Sequence, residues 1–337
     1  MTTKKNGQTI GFSNPPAVLG AAAVVGPKEG AGPLAGWFDV VKADRLLGMK
    51  SWEQAETKMV EEAVNLALAK AKVRHQDVDF FLGGDLLNQI VATSFAARTL
   101  DVPFFGLYGA CATVAEALAL AAVLVDGGFA VNVALASSSH HDTAERQYRF
   151  PAEFGIQRPV TAQWTATAVG AAVVGPHGKG KVQVTHVTVG RVVDYGQKDP
   201  MDLGAAMAPA AADTIARHFE DTGRDPEAYD LILSGDLAAV GHPLCAELLE
   251  RKGLRLDSRF VDCGLMLYDD TQEPVAGASG CGCSASVFAG YLFKNLEQGR
   301  FKRVLLVPTG ALHSPTSCQQ GESIPCVAHA VVLERSG

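Results

Sequence analysis

Apolar residues recur at every third or fourth position through "SWEQAETKMVEEAVNLALAKAKV" (51–73), then run almost unbroken through "VDFFLGGDLL" (78–87). The first period puts Trp52, Ala55, Met59, Val60, Ala63, Val64, Ala67 and Leu68 on one face, the stripe of a helix laid against a sheet. Ser51 and Gln54 stand in capping-box spacing at its start. The second pattern predicts a short buried strand that ends in a glycine-rich turn. The alternation continues with "ATSFAARTL" as helix, "VPFFGLYG" as strand, 111–125 as helix and "AVNVALASSS" as strand. Helices alternating with short apolar strands predict an α/β fold whose mainly parallel sheet is covered on both faces.

The second half repeats that order. "APAAADTIARHFEDTGRDPEAYDLILSGDLAAVGHPL" reads as helix, strand and a Gly-Asp-Leu turn. "GCGCSASVFAGYLFKNLEQGRFKRVLLVPTGAL" then reads as a small-residue helix start, helix, polar turn and strand. "FFLGGDLL" and "LILSGDLA" share one pattern, closed by Asp85 and Asp236. A duplicated α/β unit is the expectation, with an N-terminal half over 1–180 that bears Cys111 and a C-terminal half over 181–337. Strand ends and helix N-termini of the two halves would meet near a pseudo-twofold axis, where ligands of such sheets bind. "GPHGKGK" (175–181) reads as a hairpin turn, and the Gly/Pro-rich stretch 25–36 as an irregular surface segment without the ending of a phosphate loop.

Composition narrows the function classes. The formal charge is −7 and no Lys/Arg run stands out beyond the opening residues, so nucleic acid has no electrostatic footprint here. Glu116 and Asp126 break the most apolar region, 110–136, below the roughly 18 residues of a membrane span. The opening residues lack the apolar core of a secretory signal. Seven scattered cysteines, an odd number, suggest free thiols in a reducing compartment. "CGC" at 281–283 is no zinc spacing, so neither a metal site nor a cofactor is expected.

One cysteine stands out. In "FFGLYGACATVAEALALAAVLVDGG" (104–128), Cys111 lies where an apolar strand turns into a small-residue helix. The positive end of the helix dipole and the unpartnered N–H groups there lower a thiol pKa and make a nucleophile. The same groups make a seat for a ligand carboxylate.

A duplicated α/β unit with a cysteine at that helix start resembles the thiolase superfamily, and within it the stage V sporulation protein AD family of endospore-forming bacteria. The words that carry the resemblance include "AAAVVGPKEGAGPL", "FLGGDLLNQ", "GACAT", "DGGFA", "SSHHDTAERQYRFPAEFG", "VTVGRVVDYG", "AMAPAAADTI", "DCGLMLY" and "SIPCVAHAVVLE", from about residue 20 to the C-terminus. The resemblance implies a duplicated five-layered αβαβα fold and a homodimer. It further implies a soluble protein that binds dipicolinic acid, a planar pyridine with two carboxylates, while the developing spore is loaded. Its partners would be membrane proteins of the same channel system, which would hold it on the cytoplasmic or forespore face of the spore inner membrane.

The site residues follow from that resemblance. Where condensing enzymes place a histidine, this chain has Asp236, and where they place asparagine or histidine it has Cys281. An ionised Asp236 would oppose thiolate formation at Cys111, so the acyl-transfer set looks dismantled. Cys326 holds the place of the thiolases' second reactive cysteine, with His329 in place of a glycine; the alternative for Cys326 is a buried small residue on the last core strand. His140 or Arg146, Arg191 as a carboxylate clamp, and Asp194 are further candidates for the ligand's surroundings. Each has a plain alternative as a loop or ion-pair residue. Asp85 and Asp236 would repel a dianion unless a cation such as calcium sat between them. Acyl transfer with Cys111 as nucleophile and Cys326 or His329 moving protons is the rival function, and a channel scaffold that binds no small molecule is a third.

Overall fold

Period and capping chemistry place the first long helix, α1 (Trp52–Ala71), as the pattern predicts. Ser51 Oγ accepts from the Gln54 backbone N–H, while Gln54 Oε1 turns to the Lys50 N–H, so the capping box is half formed. The computed structural model describes residues 4–148 and 158–336. Part of the "SSHHDTAERQYRFPAEFG" motif therefore lies outside the described residues.

Ten strands lie side by side: β1 (Ala17–Val25), β2 (Phe80–Gly84), β3 (Phe104–Gly106), β4 (Val133–Ser139) and β5 (Ala168–Gly175), then β6 (Val182–Thr188), β7 (Leu231–Gly235), β8 (Phe260–Asp262), β9 (Arg303–Ala311) and β10 (Ala330–Arg335). Their order is β8-β7-β9-β10-β6-β1-β5-β4-β2-β3. Read outward from the centre, β1, β5, β4, β2, β3 on one side answer β6, β10, β9, β7, β8 on the other. The senses match too. β4–β2–β3 and β9–β7–β8 run parallel, whereas β5 and β10 run antiparallel to both neighbours.

Two sequence expectations change here. The sheet is mixed rather than mainly parallel, because β5 and β10 return between parallel strands. Residues 176–181 are also not a hairpin turn: β1 lies between β5 and β6, pairing with β5 along its length and with β6 at Val18–Val182.

The helices that cover or separate the half-sheets are α2 (Val91–Leu100), α3 (Thr113–Asp126), α4 (His141–Tyr148), α5 (Leu203–Thr222), α6 (Ala238–Arg251) and α7 (Cys281–Ser286), which continues through a π-helical turn into Phe293–Glu297; short helical turns also cover Cys263–Met266 and Pro315–Gln319. Three apolar clusters define five layers. Met59, Val64 and Phe81 seal α1 and α2 onto the first half-sheet. Ile215, Leu249 and Leu305 seal α5 and α6 onto the second. Between the half-sheets, α3 and α7 fill a central cluster with Leu118, Leu135, Leu233 and Phe288. Such an αβαβα stack needs helices that touch sheet on both faces, and α3 packs against strands of both halves. The small residues are what allow it: any side chain at Gly282 would collide with the Ala168 backbone of β5. Among the described residues no helix is long and apolar enough to cross a membrane.

Candidate functional site

β3 stops at Gly106 and the chain turns sharply before α3. Ala110 adopts a left-handed backbone (φ 48°), and a 3-10 turn over Ala110–Ala112 leads into the helix. Such a conformation is costly for a residue with a Cβ and persists only where its surroundings hold it. Here the Ala110 carbonyl accepts from Thr113 Oγ1 (2.6 Å) and from Cys281 Sγ (2.8 Å). Gly310 of β9 presses on the same turn, with no room for a Cβ against the Gly109 carbonyl. Both contacts from residues beyond 280 come from the second half of the chain.

The turn presents Cys111 to a cavity of about 550 Å³. Its walls come from both ends of the chain: Asp85 and Tyr148 from the first half, Met207, Ser279 and His313 from the second. Among the described residues that line it there is no lysine or arginine.

Cys111 is buried, and its thiol is raised well above the ordinary range. Burial is the main cause, and the neighbouring Asp236 adds to it. The sequence reading of the helix start pointed to a lowered pKa; desolvation outweighs the partial charge of the helix end. Asp236 is itself fully buried, and burial pushes its carboxyl up to about 7, against the pull of a hydrogen bond with Cys111. Its Oδ2 accepts from the Gly280 N–H (2.9 Å) and its Oδ1 from Ser284 Oγ (3.2 Å). The backbone at Asp236 is left-handed (φ 68°), with its carbonyl receiving the Gln163 amide. At neutral pH the proton stays on sulfur.

Asp85 forms another wall. Its Oδ1 accepts from the Leu87 N–H, and its Oδ2 from both the N–H and Oγ1 of Thr93, so it caps the turn into α2. Sequence pattern paired Asp85 with Asp236, yet the residue that caps the matching turn in the second half is Asp262. It receives Leu237, Ala238 and Gly264 N–H groups and the Ser234 hydroxyl. Asp236 is thereby released to face Cys111.

The sequence candidates divide accordingly. Cys111 and Asp85 line the cavity, and Asp236 and Cys281 stand directly behind Cys111. The others lie elsewhere. Arg191 is exposed on the strand exit after β6 and makes a bidentate pair with Asp213. Asp194 is an exposed turn residue that accepts from Ser323 Oγ and the Gly196 N–H. His329 accepts the Gly190 N–H at Nδ1 and is kept neutral by burial, at about 4. Cys326 is a buried member of the outer cluster around α5, on a short strand paired with β9. His140 is fully buried beneath the Arg45 carbonyl, and Arg146 pairs outside with Glu53. From sequence, 187–196 also reads as the crossing between the halves; the crossing instead comes before β6, which already belongs to the second set of strands. Nor is 25–36 simply surface. Glu29 there is buried and receives the Thr167 N–H and the Tyr268 hydroxyl.

Sequence reasoning passed over the other cavity residues. Ala144, Glu145 and Tyr148 share one face of α4 at helical spacing, a signal present in "AERQY" but hidden by the two histidines before it. His313, which approaches Cys318 Sγ to 3.0 Å at Nδ1, follows β9 with no local cue at all.

With this geometry in view, the comparisons are specific. The family described as stage V sporulation protein AD matches residues 6–334. Stage V sporulation protein AD of Bacillus subtilis (strain 168) is 48% identical over 330 residues, 98% of this chain and 97% of that protein. Among solved structures, 3-oxoacyl-[acyl-carrier-protein] synthase III from Aquifex aeolicus VF5 matches with TM-score 0.57 at 14% identity, covering 95% of this chain and 99% of that one. Cerulenin-bound OleA of Xanthomonas campestris matches with TM-score 0.61 at 14% identity, covering 95% and 97%. At such identities these two speak to the fold alone, which is the thiolase-like one.

Proposed function

Because the chain belongs to the stage V sporulation protein AD family, we propose that it acts in spore formation as a binding protein for dipicolinic acid, taken up in the Cys111 cavity without acyl transfer. One observation carries this reading. The position that would hold a nucleophile opens on a well-formed cavity, yet its thiol is held protonated by burial and by Asp236. A nucleophilic cysteine needs a base or a cation beside it, whereas this one has a second acid.

The cavity suits a flat, small acid. About 550 Å³ falls within the span of small-molecule sites. Met207, Leu203 and Tyr148 offer surfaces for a ring, and Ser279 and the start of α3 offer donors for carboxylates. The ligand would travel toward membrane proteins of the loading channel on the forespore side, with this chain as their peripheral component. A second copy would dock along β3, the edge strand of the first half, where Phe105 and, just after the strand, Tyr108 are exposed.

Isothermal titration of dipicolinic acid, with and without calcium, into the protein and its Cys111→Ala variant tests the reading, with acetyl-coenzyme A incubation and intact mass in parallel. Saturable binding weakened by Cys111→Ala and no acetyl adduct is the expected result. An adduct at Cys111 without dipicolinate binding would restore the enzyme reading.

A further inference from the structure

A ligand with two carboxylates meets a charge problem in this cavity. Asp85 lines the wall just past the end of β2, where Gly84 pairs with Ser137 of β4, and Glu56 of α1, 1% exposed, is bound to the next residue of β4, Ser138. Glu56 Oε1 accepts from Ser138 Oγ (2.9 Å) and its Oε2 from Thr143 Oγ1 (3.0 Å), both neutral donors. Among the described residues neither carboxylate has an ion-pair partner within 4.0 Å. The titratable groups that face the pair are acids as well: Tyr148 of α4 and Cys281 of α7. His140 and His141, where β4 meets α4, engage Asp142 and Glu145 instead. Among the described residues no cluster of three or more His, Cys, Asp or Glu side chains is arranged to hold a metal ion.

We propose that an anionic ligand enters this cavity together with one proton from solvent, taken onto Asp85 in addition to the proton that Asp85 and Glu56 already hold. The proposal rests on the dicarboxylate reading above. Two buried carboxylates side by side cannot both ionise cheaply, so the empty pair already shares one proton. Burial pushes Glu56 up to about 8, with Asp85 as its next cause, and raises Asp85 as well. A ligand carboxylate brought against Asp85 adds a second negative charge to the same buried wall. Taking a proton onto Asp85 removes that repulsion and turns an acceptor into a donor for the ligand. The bond formed is O–H on Asp85, and the proton comes from water or buffer. The pair is therefore a positioning and selectivity element that favours acids over neutral rings at low pH.

The test is calorimetry of dipicolinic acid in calcium-free solution at pH 8, in phosphate and in Tris, whose ionisation heats differ. The expected result is an uptake close to one proton per ligand, and an affinity that falls up to about tenfold per pH unit from 7 to 9. Asp85→Asn should abolish the uptake and flatten the profile, while Arg191→Ala, at the exposed pair with Asp213, keeps both. Should Asp85→Asn fail to fold, the buffer dependence of the natural protein still decides. Saturable binding with no uptake, or binding that needs calcium and takes up none, overturns this proposal and leaves the binding reading standing. Uptake that survives in Asp85→Asn overturns the assignment to this pair. No saturable heat in any buffer overturns the binding reading and this proposal with it.

Discussion

The Cys281 thiol donates to the Ala110 carbonyl across 2.8 Å, so the head of α7 holds the left-handed turn that presents Cys111. Cys281→Ala removes a buried donor and leaves a small void. A cost of about 1–3 kcal/mol is expected, read by urea unfolding. The loss should exceed that of Cys245→Ala only in ligand affinity, because Cys245 lies on α6 in the outer cluster, away from the cavity lining.

Gly310 makes a sharper test of the same turn. A Cβ there collides with backbone at Gly109 and cannot be accommodated by rotating a side chain. Gly310→Ala should destabilise by about 1–3 kcal/mol and displace Cys111 from the cavity, checked by thermal unfolding and by dipicolinic acid titration.

Asp236 sets both reactivity and pH dependence. Asp236→Asn removes the acid beside Cys111, so iodoacetamide labelling at pH 8, followed by mass spectrometry, should speed up severalfold. Its effect on stability has a defined sign. The carboxyl titrates near 7 in the folded protein and near 4 when unfolded, so the native state binds a proton the unfolded chain lacks between those values. The contribution of Asp236 to stability is therefore full below about pH 4 and declines as pH rises to 7, by roughly 1.4 kcal/mol per unit. Asp236→Asn lacks this decline, and should gain on the natural protein from pH 5 to 7 in paired unfolding curves.

His329 has the opposite sign. Burial lowers it to about 4 against an ordinary 6.5, so the unfolded chain takes the proton first. Its contribution is full above about pH 6.5 and is lost as pH falls toward 4. A His329→Gln variant should show a shallower acid limb in the same curves.

Arg191 separates the cavity from the surface. Its guanidinium is exposed and satisfied by Asp213. Arg191→Ala should leave dipicolinic acid affinity unchanged, whereas Tyr148→Phe, at the cavity wall, should weaken it.

Much of this was readable from the chain, and the limits are physical. Periodicity found α1, because a helix lying on a sheet must repeat its apolar face. It could not say which neighbour a strand takes, so residues 176–181 looked like a hairpin although β1 runs between β5 and β6. Local pattern marked Cys111 because a helix start sets a thiol beside unpartnered N–H groups. It could not weigh burial against the helix dipole, a contest decided by Asp236 and the packing of α7. Arg191 and His329 carried suitable chemistry but are engaged by Asp213 and the Gly190 N–H, and neither reaches the cavity lining. His313 and Met207 reach the cavity only through the fold, and no window of sequence contains both them and Cys111.

The most direct measurement is a crystal structure of the protein soaked with dipicolinic acid. The pyridine ring is expected beside Tyr148 and Met207, with a carboxylate at the start of α3 and Cys111 unmodified. Density for the ligand outside this cavity, or an acyl group on Cys111, would contradict this expectation.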